Sequence, residues 1–168
     1  SRYISQWRLR DGRDVVLRPI RAEDEPAVKE MVSALSEETL RVRFFVVMEI
    51  DHSMIMKFCN VDYDRELAMV VELKEGDRKR IIGGGRVIVE PDTGSGQFAL
   101  LVSDDFQKQG IGEKLLDVVI GIAQDKGLHE IYGIVLSENE KMLGLSRKMG
   151  FRSVRLPDGI TRVGLKLD

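Results

Sequence analysis

Apolar positions along the chain follow two kinds of pattern, and together they predict the order of its elements. Short apolar runs bounded by glycine, proline or charged residues predict strands at residues 15–20, 66–73, 81–89, 97–102, 131–136, 151–156 and 162–167. Apolar residues spaced three or four apart predict helices at residues 21–35, within 36–60, at 110–127 and at 137–150. The order β-α-α-β-β-β-α-β-α-β-β predicts an α/β protein of the α+β kind, with a mixed sheet flanked by helices.

The helix predicted to begin near Gly110 has the clearest apolar stripe. One of its faces is apolar at Ile111, Leu115, Val119 and Ile122, so we expect it to pack on the sheet. Because Gly110 and Gly112 lack side chains, an anion could approach the first-turn amides, which have no partners within the helix. One such contact contributes only about 0.3–1 kcal/mol when exposed, so several amides must converge on one ligand. Residues 106–116 therefore predict a cradle for an anion with several oxygens, such as a pyrophosphate.

Two other phosphate-binding motifs do not fit this loop. A P-loop requires Lys and then Ser or Thr directly after its second glycine, whereas Gly112 is followed by Glu113 and Lys114. The dinucleotide-binding fingerprint requires three spaced glycines, and only Gly110 and Gly112 are present. The loop therefore belongs to neither motif.

Three further local patterns carry predictions. The consecutive glycines 83–85 interrupt a predicted strand and indicate a bulge or a close approach of another backbone. Ser137 and Glu140 have the spacing of a capping box, which predicts a helix start at Ser137. The apolar residues 43–48 predict either core or the wall of a substrate cleft.

Length and charge limit the class of protein. With 168 residues, 32% of them charged, and a formal net charge of -2, we expect one soluble globular domain spanning residues 1–168. No apolar run reaches the roughly 18 residues of a membrane span, and no basic excess indicates nucleic acid. We therefore expect neither a membrane nor a nucleic-acid partner, and the pattern predicts no particular oligomeric state.

The chain has one cysteine, Cys59, and two histidines, His52 and His129. A lone cysteine excludes an internal disulfide and is typical of the reducing cytoplasm, and we expect Cys59 to be a small buried apolar side chain. Because the histidines lie far apart in sequence, we expect no metal site and no Cys/His nucleophile pair. Since the sequence starts at Ser1 rather than at methionine, we also expect either a fragment of a longer chain or a chain from which a tag was cleaved.

Two segments match the motifs of one superfamily. The loop Gln107-x-x-Gly110-x-Gly112 fits the pattern Gln/Arg-x-x-Gly-x-Gly/Ala. The segment from Asn139 to Phe151 is similar to the ending Asn-x-x-Ala-x-x-Leu-Tyr-x-x-x-Gly-Phe. Both resemble the GNAT superfamily of N-acetyltransferases. The resemblance implies a GNAT-like fold with a mostly antiparallel sheet, in which the strands at 97–102 and 131–136 splay apart to hold acetyl-CoA.

The same resemblance implies which residues bind the acyl donor. The glycine loop would hold the pyrophosphate, and the backbone of Leu100-Leu101-Val102 would pair with the pantetheine arm as a neighbouring strand would. The implied cofactor-binding residues are Leu100, Val102, Gln107, Lys108, Gln109, Gly110, Ile111, Gly112, Glu113, Asn139 and Ser146.

Several separated segments are similar to one branch of the superfamily. They are Trp7-x-Leu9-x-Asp11-Gly12, Leu17-Arg18-Pro19-Ile20-Arg21-x-Glu23-Asp24-Glu25, Leu35-Ser36-Glu37-Glu38, Arg43-Phe44-Phe45 and Asp62-Tyr63-Asp64-Arg65-Glu66. They resemble bacterial protein lysine acetyltransferases, whose GNAT domain is often fused to an acyl-CoA synthetase-like region and which modify acyl-CoA synthetases. The resemblance implies a lysine side chain of a protein as the acceptor.

The general base is where this sequence departs from its relatives. A lysine ammonium has a pKa near 10.4, so neutralising it at pH 7 costs about 4.6 kcal/mol. The related enzymes use a glutamate on the fourth strand, and the resemblance puts Gln97 at that place. Gln97 could hold a water that relays the proton, or Glu66 could be the base, with Glu90 a weaker candidate. Glu66 could equally form an ion pair with Arg65 or Arg86.

A second departure concerns the leaving thiolate. Many GNAT enzymes protonate it with a tyrosine of the last helix, and the resemblance puts Ser146 there. Ser146 could donate directly or through water, or it could be a hydroxyl on the helix surface.

Two alternatives remain beside transfer to a protein lysine. One is transfer to a small amine such as a polyamine or amino acid, and the other is an acyl-CoA-binding sensor that has lost its catalytic carboxylate. The run Asp62, Asp64 and Glu66 could attract a lysine-bearing substrate or could simply be solvated.

Overall fold

The computed structural model describes residues 3–39 and 65–168. Predictions for residues 40–64 lie outside the described residues. These are the remainder of the second predicted helical region, the apolar residues 43–48, His52, Cys59, Asp62 and Asp64.

The described chain contains strands and helices joined by short turns. The strands are β1 (Ser5–Arg8), β2 (Asp14–Pro19), β3 (Glu66–Glu75), β4 (Arg78–Glu90), β5 (Ser95–Val102), β6 (Glu130–Leu136), β7 (Arg152–Leu156) and β8 (Ile160–Lys166). The α-helices are α1 (Glu25–Ser33), α2 (Ile111–Asp125) and α3 (Glu140–Lys148). Short 3-10 turns cover Ala22–Asp24, Asp104–Phe106 and Pro157–Gly159.

The strands of the described residues form one mixed sheet in the order β1-β2-β3-β4-β5-β6-β8-β7. Neighbouring strands in it are antiparallel, apart from the parallel pair β5 and β6. The predicted mixed sheet is confirmed. The sequence pattern missed β1, because its four residues, Ser-Gln-Trp-Arg, contain no apolar run and lie at the sheet edge.

Helices cover both faces of the sheet. On one face α1 packs through Val28, Met31 and Val32 against Ala68 and Val70 of β3. On the other face α2 and α3 cover the larger apolar cluster, which includes Leu17, Met69, Val87, Phe98, Leu115, Val119, Ile122, Ile131, Phe151 and Val163. The predicted stripe of α2 is therefore the side that it buries.

The three glycines of β4 lie at a bulge and also at a close approach of another backbone, the two features that their sequence predicts. The β3–β4 register shifts between Val71 and Glu72, which marks a bulge beside Gly83. A Cβ on Gly83 would lie 3.1 Å from the Leu101 carbonyl oxygen and 3.3 Å from Ile111 Cγ2. The bare backbone of β4 therefore lets the first turn of α2 lie close to the sheet.

The predicted helix start at Ser137 is wrong. The N-cap of α3 is Asn139, whose Oδ1 accepts a hydrogen bond from the Met142 amide at 3.2 Å. The Ser137 hydroxyl instead lies 2.7 Å from the Thr161 hydroxyl at the end of the β6–β8 pair. Because that hydroxyl is engaged between strands, the helix begins two residues later.

Candidate active site

The parallel strands β5 and β6 separate part-way along their length. They pair at Ser95 with Glu130, Gly96 with Ile131 and Gln97 with Tyr132, and no further. At the next position the Phe98 ring lies against Gly133, where a Cβ would be 2.7 Å from the ring. Among the described residues, one edge of β5 therefore has no neighbouring strand beyond Gln97, as the expected splayed wedge requires.

A groove of about 840 Å³ opens where these strands separate. This volume is within the usual range for a site that binds a small molecule or cofactor. Two strands and one helix line part of the groove. Their lining residues include Gln97, Phe98, Ala99, Leu100, Leu101 and Val102 of β5, Gly133, Ile134 and Val135 of β6, the N-cap residue Asn139 of α3, and Met142 and Leu145 within α3. Six consecutive residues of β5 line the groove, and successive side chains of a strand point to opposite faces of the sheet. The groove therefore reaches both faces.

The glycine loop closes one end of this groove. Gln107, Lys108, Gly110, Ile111, Gly112 and Glu113 all line it. Lys108 and Gly110 both have left-handed backbone conformations, with φ of 69° and 84°. Gly110 is the N-cap of α2 and provides no side-chain cap, so the first-turn amides are left for another acceptor. These are the first-turn amides that the sequence predicts to bind an anion, and that role stays a prediction.

The turn between β1 and β2 braces this loop, which the sequence pattern did not predict. Arg10 Nη1 donates to the Lys108 carbonyl oxygen at 3.2 Å, and the Asp11 amide donates to Gln109 Oε1 at 3.2 Å. Arg10 also lines the groove, whereas Gln109 does not. The Gln109 side chain therefore supports the loop from outside. The sequence feature that could have indicated this contact is the motif Trp7-x-Leu9-x-Asp11-Gly12, which contains Asp11.

The side chain of Gln107 is held between two elements. Its Nε2 donates to Asp104 Oδ1 at 3.3 Å, and Lys141 Nζ donates to its Oε1 at 3.4 Å. Asp104 also accepts hydrogen bonds from the Ser36 amide and the Thr39 hydroxyl, both at 2.6 Å. The loop is thereby tied to the segment that follows α1 and to α3.

Of the three residues proposed to take part in removing the proton, Gln97, Glu66 and Glu90, only Gln97 lines the groove. It lines the cavity at the last paired position of β5 and β6. Glu66 and Gln97 are both opposite Ile88 of β4, so all three share one face. Two strand spacings separate the Cα atoms of Glu66 and Gln97 by about 10 Å. The Glu66 carboxylate lies 2.5 Å from Arg86 Nη1, which is one of the two ion pairs that the sequence suggested.

Ser146 is buried rather than on the helix surface. Its exposed fraction is 0%, and its carbonyl oxygen accepts the amides of Met149 and Phe151. The alternative of a surface hydroxyl is therefore wrong. Ser146 is also not among the residues that line the groove, and its role as a proton donor or cofactor ligand stays a prediction.

A tyrosine that the sequence did not single out lies beside Gln97. Tyr132 donates a hydrogen bond from its hydroxyl to Glu90 Oε2 at 2.5 Å. Partial burial and the hydrogen bond to Glu90 raise the pKa of Tyr132 to about 12. The Arg162 guanidinium lies 4.3 Å from the centre of the tyrosine ring and is paired with Glu130.

Comparison with known families decides the class of this site. Residues 31–151, most of the chain, match the model of the Acetyltransferase (GNAT) family. The chain belongs to the GNAT family. It is an acetyl-CoA-dependent N-acetyltransferase, and the resemblance stated from its motifs is confirmed.

Individual relatives agree with this assignment. Acetyltransferase PA5475 of Pseudomonas aeruginosa is 29% identical over 156 residues, which is 92% of this chain and 84% of that protein. Acetyltransferase Pat of Mycolicibacterium smegmatis is 28% identical over 153 residues, which is 90% of this chain but 45% of Pat. The crystal structure of the GNAT domain of S. lividans PAT has a TM-score of 0.88 at 22% identity, covering 99% of this chain and 98% of that domain. The GNAT fold is therefore confirmed.

Two further observations concern other classes of site. Within residues 3–39 and 65–168, no group of histidine, cysteine and acidic side chains is arranged to hold a metal ion. In the same residues, no helix combines the length and apolar character that a membrane span requires.

Proposed function

We propose that this GNAT enzyme transfers the acetyl group of acetyl-CoA to the ε-amino group of a lysine on a protein, such as an acyl-CoA synthetase. The observation that carries the proposal is the groove between β5 and β6, which is lined by the uncapped glycine loop and by Gln97. The choice of a protein acceptor is supported by the motifs of the lysine acetyltransferase branch and by the alignment with Pat over 90% of this chain.

The donor would bind along the unpaired edge of β5. The amides at Gly110, Ile111 and Gly112 would hold its pyrophosphate, because these residues line the groove and their helix end has no side-chain cap. The backbone of Leu100 and Val102 would hold the pantetheine arm as a strand would hold its neighbour. Acetyl-CoA supplies the acetyl group as a thioester, which an amine can attack once it is neutral.

The acceptor amine would reach the donor at the Gln97 end of the groove. Gln97 cannot take up a proton, but its amide can hold and orient a water molecule. Glu66 remains an alternative acceptor of the proton, although its carboxylate would have to give up part of its interaction with Arg86. A cytoplasmic location is part of the proposal, since acetyl-CoA and the single cysteine both suit that compartment.

The acceptor class can be tested directly. Incubation of the protein with acetyl-CoA and an acyl-CoA synthetase, followed by peptide mass spectrometry, should find one preferred acetylated lysine. The Gly112→Asp variant serves as the matched control at limiting acetyl-CoA, because a carboxylate there would repel the pyrophosphate and lower the enzymatic part of the signal at least tenfold.

A parallel incubation with spermidine or free amino acids tests the other acceptor class. If these amines are acetylated far faster than any protein lysine, the enzyme is a small-amine acetyltransferase. If acetyl-CoA binds and neither the protein lysine nor these amines are acetylated above background, the proposed protein-lysine acceptor is wrong and the sensor alternative is favoured.

A further inference from the structure

We propose that Tyr132 and Glu90 form the outlet for the proton that the acceptor amine loses, with Glu90 as its final acceptor. The inference rests on amine acetylation, as the proposed function does, but it holds for a protein lysine and for a small amine alike. Tyr132 would be the catalytic residue that contacts the amine or its bound water, and Glu90 a positioning residue that acts through Tyr132.

The backbone register places this pair beside the end of the groove. Tyr132 is directly paired with Gln97, and Glu90 is paired with Ser95 two residues earlier on β5. Residues paired in this way share one face of a sheet, so both side chains lie on the face that carries Gln97. The Tyr132 ring crosses β5 to reach Glu90, with 2.5 Å between Oη and Oε2. The residue after Tyr132 is Gly133, which lines the groove.

The proposed transfer is a relay of two proton movements, which together carry one positive charge from the ammonium to Glu90. The N–H bond of the ammonium breaks as an O–H bond forms at Tyr132 Oη, and the original O–H bond of Tyr132 breaks as one forms at Glu90 Oε2. The amine keeps its electron pair for the attack, and Glu90 becomes neutral. The Tyr132 hydroxyl is regenerated, so no external acid or base is consumed until Glu90 releases its proton to solvent.

This route supplies the carboxylate that Gln97 lacks. A general base must be able to bind a proton, and glutamine cannot. Glu90 lies on β4, adjacent to the strand that carries Gln97, and its carboxylate accepts a hydrogen bond from Tyr132, the residue paired with Gln97. Glu66 lies on the same face, but its carboxylate is occupied by Arg86.

The charges around Tyr132 favour passage of the proton over formation of a tyrosinate. Partial burial and Glu90 raise the pKa of Tyr132 to about 12, and Glu130 of β6 acts in the same direction. Arg162 of β8 lies over the ring and opposes this effect, but it is paired with Glu130 at 2.6 Å. A free tyrosinate is therefore unfavourable near neutral pH, and the two proton movements should be concerted.

Single-turnover kinetics test this inference with saturating acetyl-CoA and the faster acceptor of a lysine peptide and spermidine. We expect Tyr132→Phe and Glu90→Gln each to slow acetyl transfer at pH 7 by about 10²-fold or more. The loss should shrink toward zero as the pH approaches about 10.4, because the amine then loses its proton unaided. Glu90→Asp should recover part of the rate. Tyr3→Phe and Glu75→Gln, which remove a tyrosine hydroxyl and a glutamate away from the groove, should change neither rate nor pH profile.

A second readout needs no acceptor at all. Ultraviolet titration of the tyrosines should contain a step near pH 12 that is missing in Tyr132→Phe and that moves to lower pH in Glu90→Gln, since the neighbouring negative charge is gone. Wild-type rates in both variants would overturn the inference. So would a loss of rate that is the same at every pH, because a structural tether between β4 and β6 would act in that way. If only spermidine is acetylated, the protein-lysine proposal fails while this test still decides the proton route.

Discussion

Arg18 and Asp24 form a buried ion pair that joins β2 to the start of α1. Two of the guanidinium nitrogens lie 2.8 Å and 2.7 Å from the two carboxylate oxygens, and the side chains are only 7% and 5% exposed. Glu72 approaches the same guanidinium at 3.5 Å. Burial alone would raise the pKa of Asp24, but the hydrogen bonds from Arg18 and the Arg21 amide outweigh burial and hold that pKa below its ordinary value.

This ion pair predicts the effect of Asp24→Asn on stability. Removing one partner leaves Arg18 charged and buried, which typically costs about 3–5 kcal/mol. Because Glu72 still faces Arg18, we expect a loss near the lower end, about 3 kcal/mol, measured by urea unfolding at pH 7. Asp14→Asn is the matched control, since its partner Arg8 is a surface residue, and it should change the free energy of unfolding little. Equal effects of the two substitutions would contradict the prediction.

The same pair predicts a direction of pH dependence. A carboxyl whose folded-state pKa is lowered stabilises the protein above its unfolded-state pKa of about 3.9, and this contribution is lost as the pH falls below that value toward the lowered pKa. Wild-type protein should therefore lose stability over this acidic range more steeply than Asp24→Asn. Urea unfolding repeated between pH 5 and about pH 3 measures the difference.

Some residues of the site could be predicted from the sequence, and others could not. The glycines and Gln97 were predictable, because a glycine loop before a helix and a match to a family motif are both local patterns. The ion pair of Glu66 with Arg86 could be named as an alternative but not decided, since it depends on the β3–β4 register. Tyr132 gave no signal, because only the parallel pairing of β5 and β6 brings it next to Gln97.

The contact between β4 and α2 sets the position of the glycine loop. Gly83 and Gly85 of β4 lie under Ile111 and Val119 of α2, where added Cβ atoms would be 3.3 Å and 3.4 Å from those side chains. Since α2 carries the uncapped amides of the proposed anion cradle at its first turn, its distance from the sheet also fixes where those amides lie.

This contact predicts opposite effects for two glycine-to-alanine substitutions. Gly83→Ala crowds the Leu101 carbonyl oxygen and Ile111, so we expect about 1–3 kcal/mol of destabilisation together with weaker acetyl-CoA binding. Gly121→Ala, within α2, meets nothing within 4 Å and should stabilise by about 0.5–1 kcal/mol without changing affinity. Urea unfolding and calorimetry measure both quantities. A stabilising Gly83→Ala would show that β4 and α2 are not closely packed.

Elements with long patterns were predictable, and short or context-dependent ones were not. The predicted helix at 110–127 is observed at Ile111–Asp125, because its stripe and its flanking glycines agree. The edge strand β1 has four residues and no apolar run, so only its pairing with β2 reveals it. The start of α3 was misplaced because Ser137 bonds across the sheet to Thr161, a contact that no local pattern encodes.

The whole sheet is divided at the groove into two parts. Strands β1 to β5 lie on one side and β6, β8 and β7 on the other, and three paired positions of β5 and β6 join them directly. The glycine loop, α2 and α3 close the groove between the two parts. A donor that lies along β5 and reaches the loop would therefore contact both parts and stabilise the folded protein by binding it selectively.

Thermal unfolding with and without acetyl-CoA tests this view of the molecule. At a ligand concentration 100 times its dissociation constant, binding contributes about 2.7 kcal/mol, which should raise the Tm by about 5–10 °C for a domain of this size. In Gly112→Asp a carboxylate would face the pyrophosphate, and we expect at least tenfold weaker binding, about 1.4 kcal/mol. At the same ligand concentration at least half of the Tm shift should then disappear.

The Tm of the Gly112→Asp variant without ligand should change little, because a Cβ on Gly112 would lie 3.5 Å from Leu145 Cδ2, an ordinary contact. Gly121→Asp adds the same charge to α2 away from the groove and should keep the full shift. A full shift in Gly112→Asp would mean that the pyrophosphate does not bind at the first turn of α2.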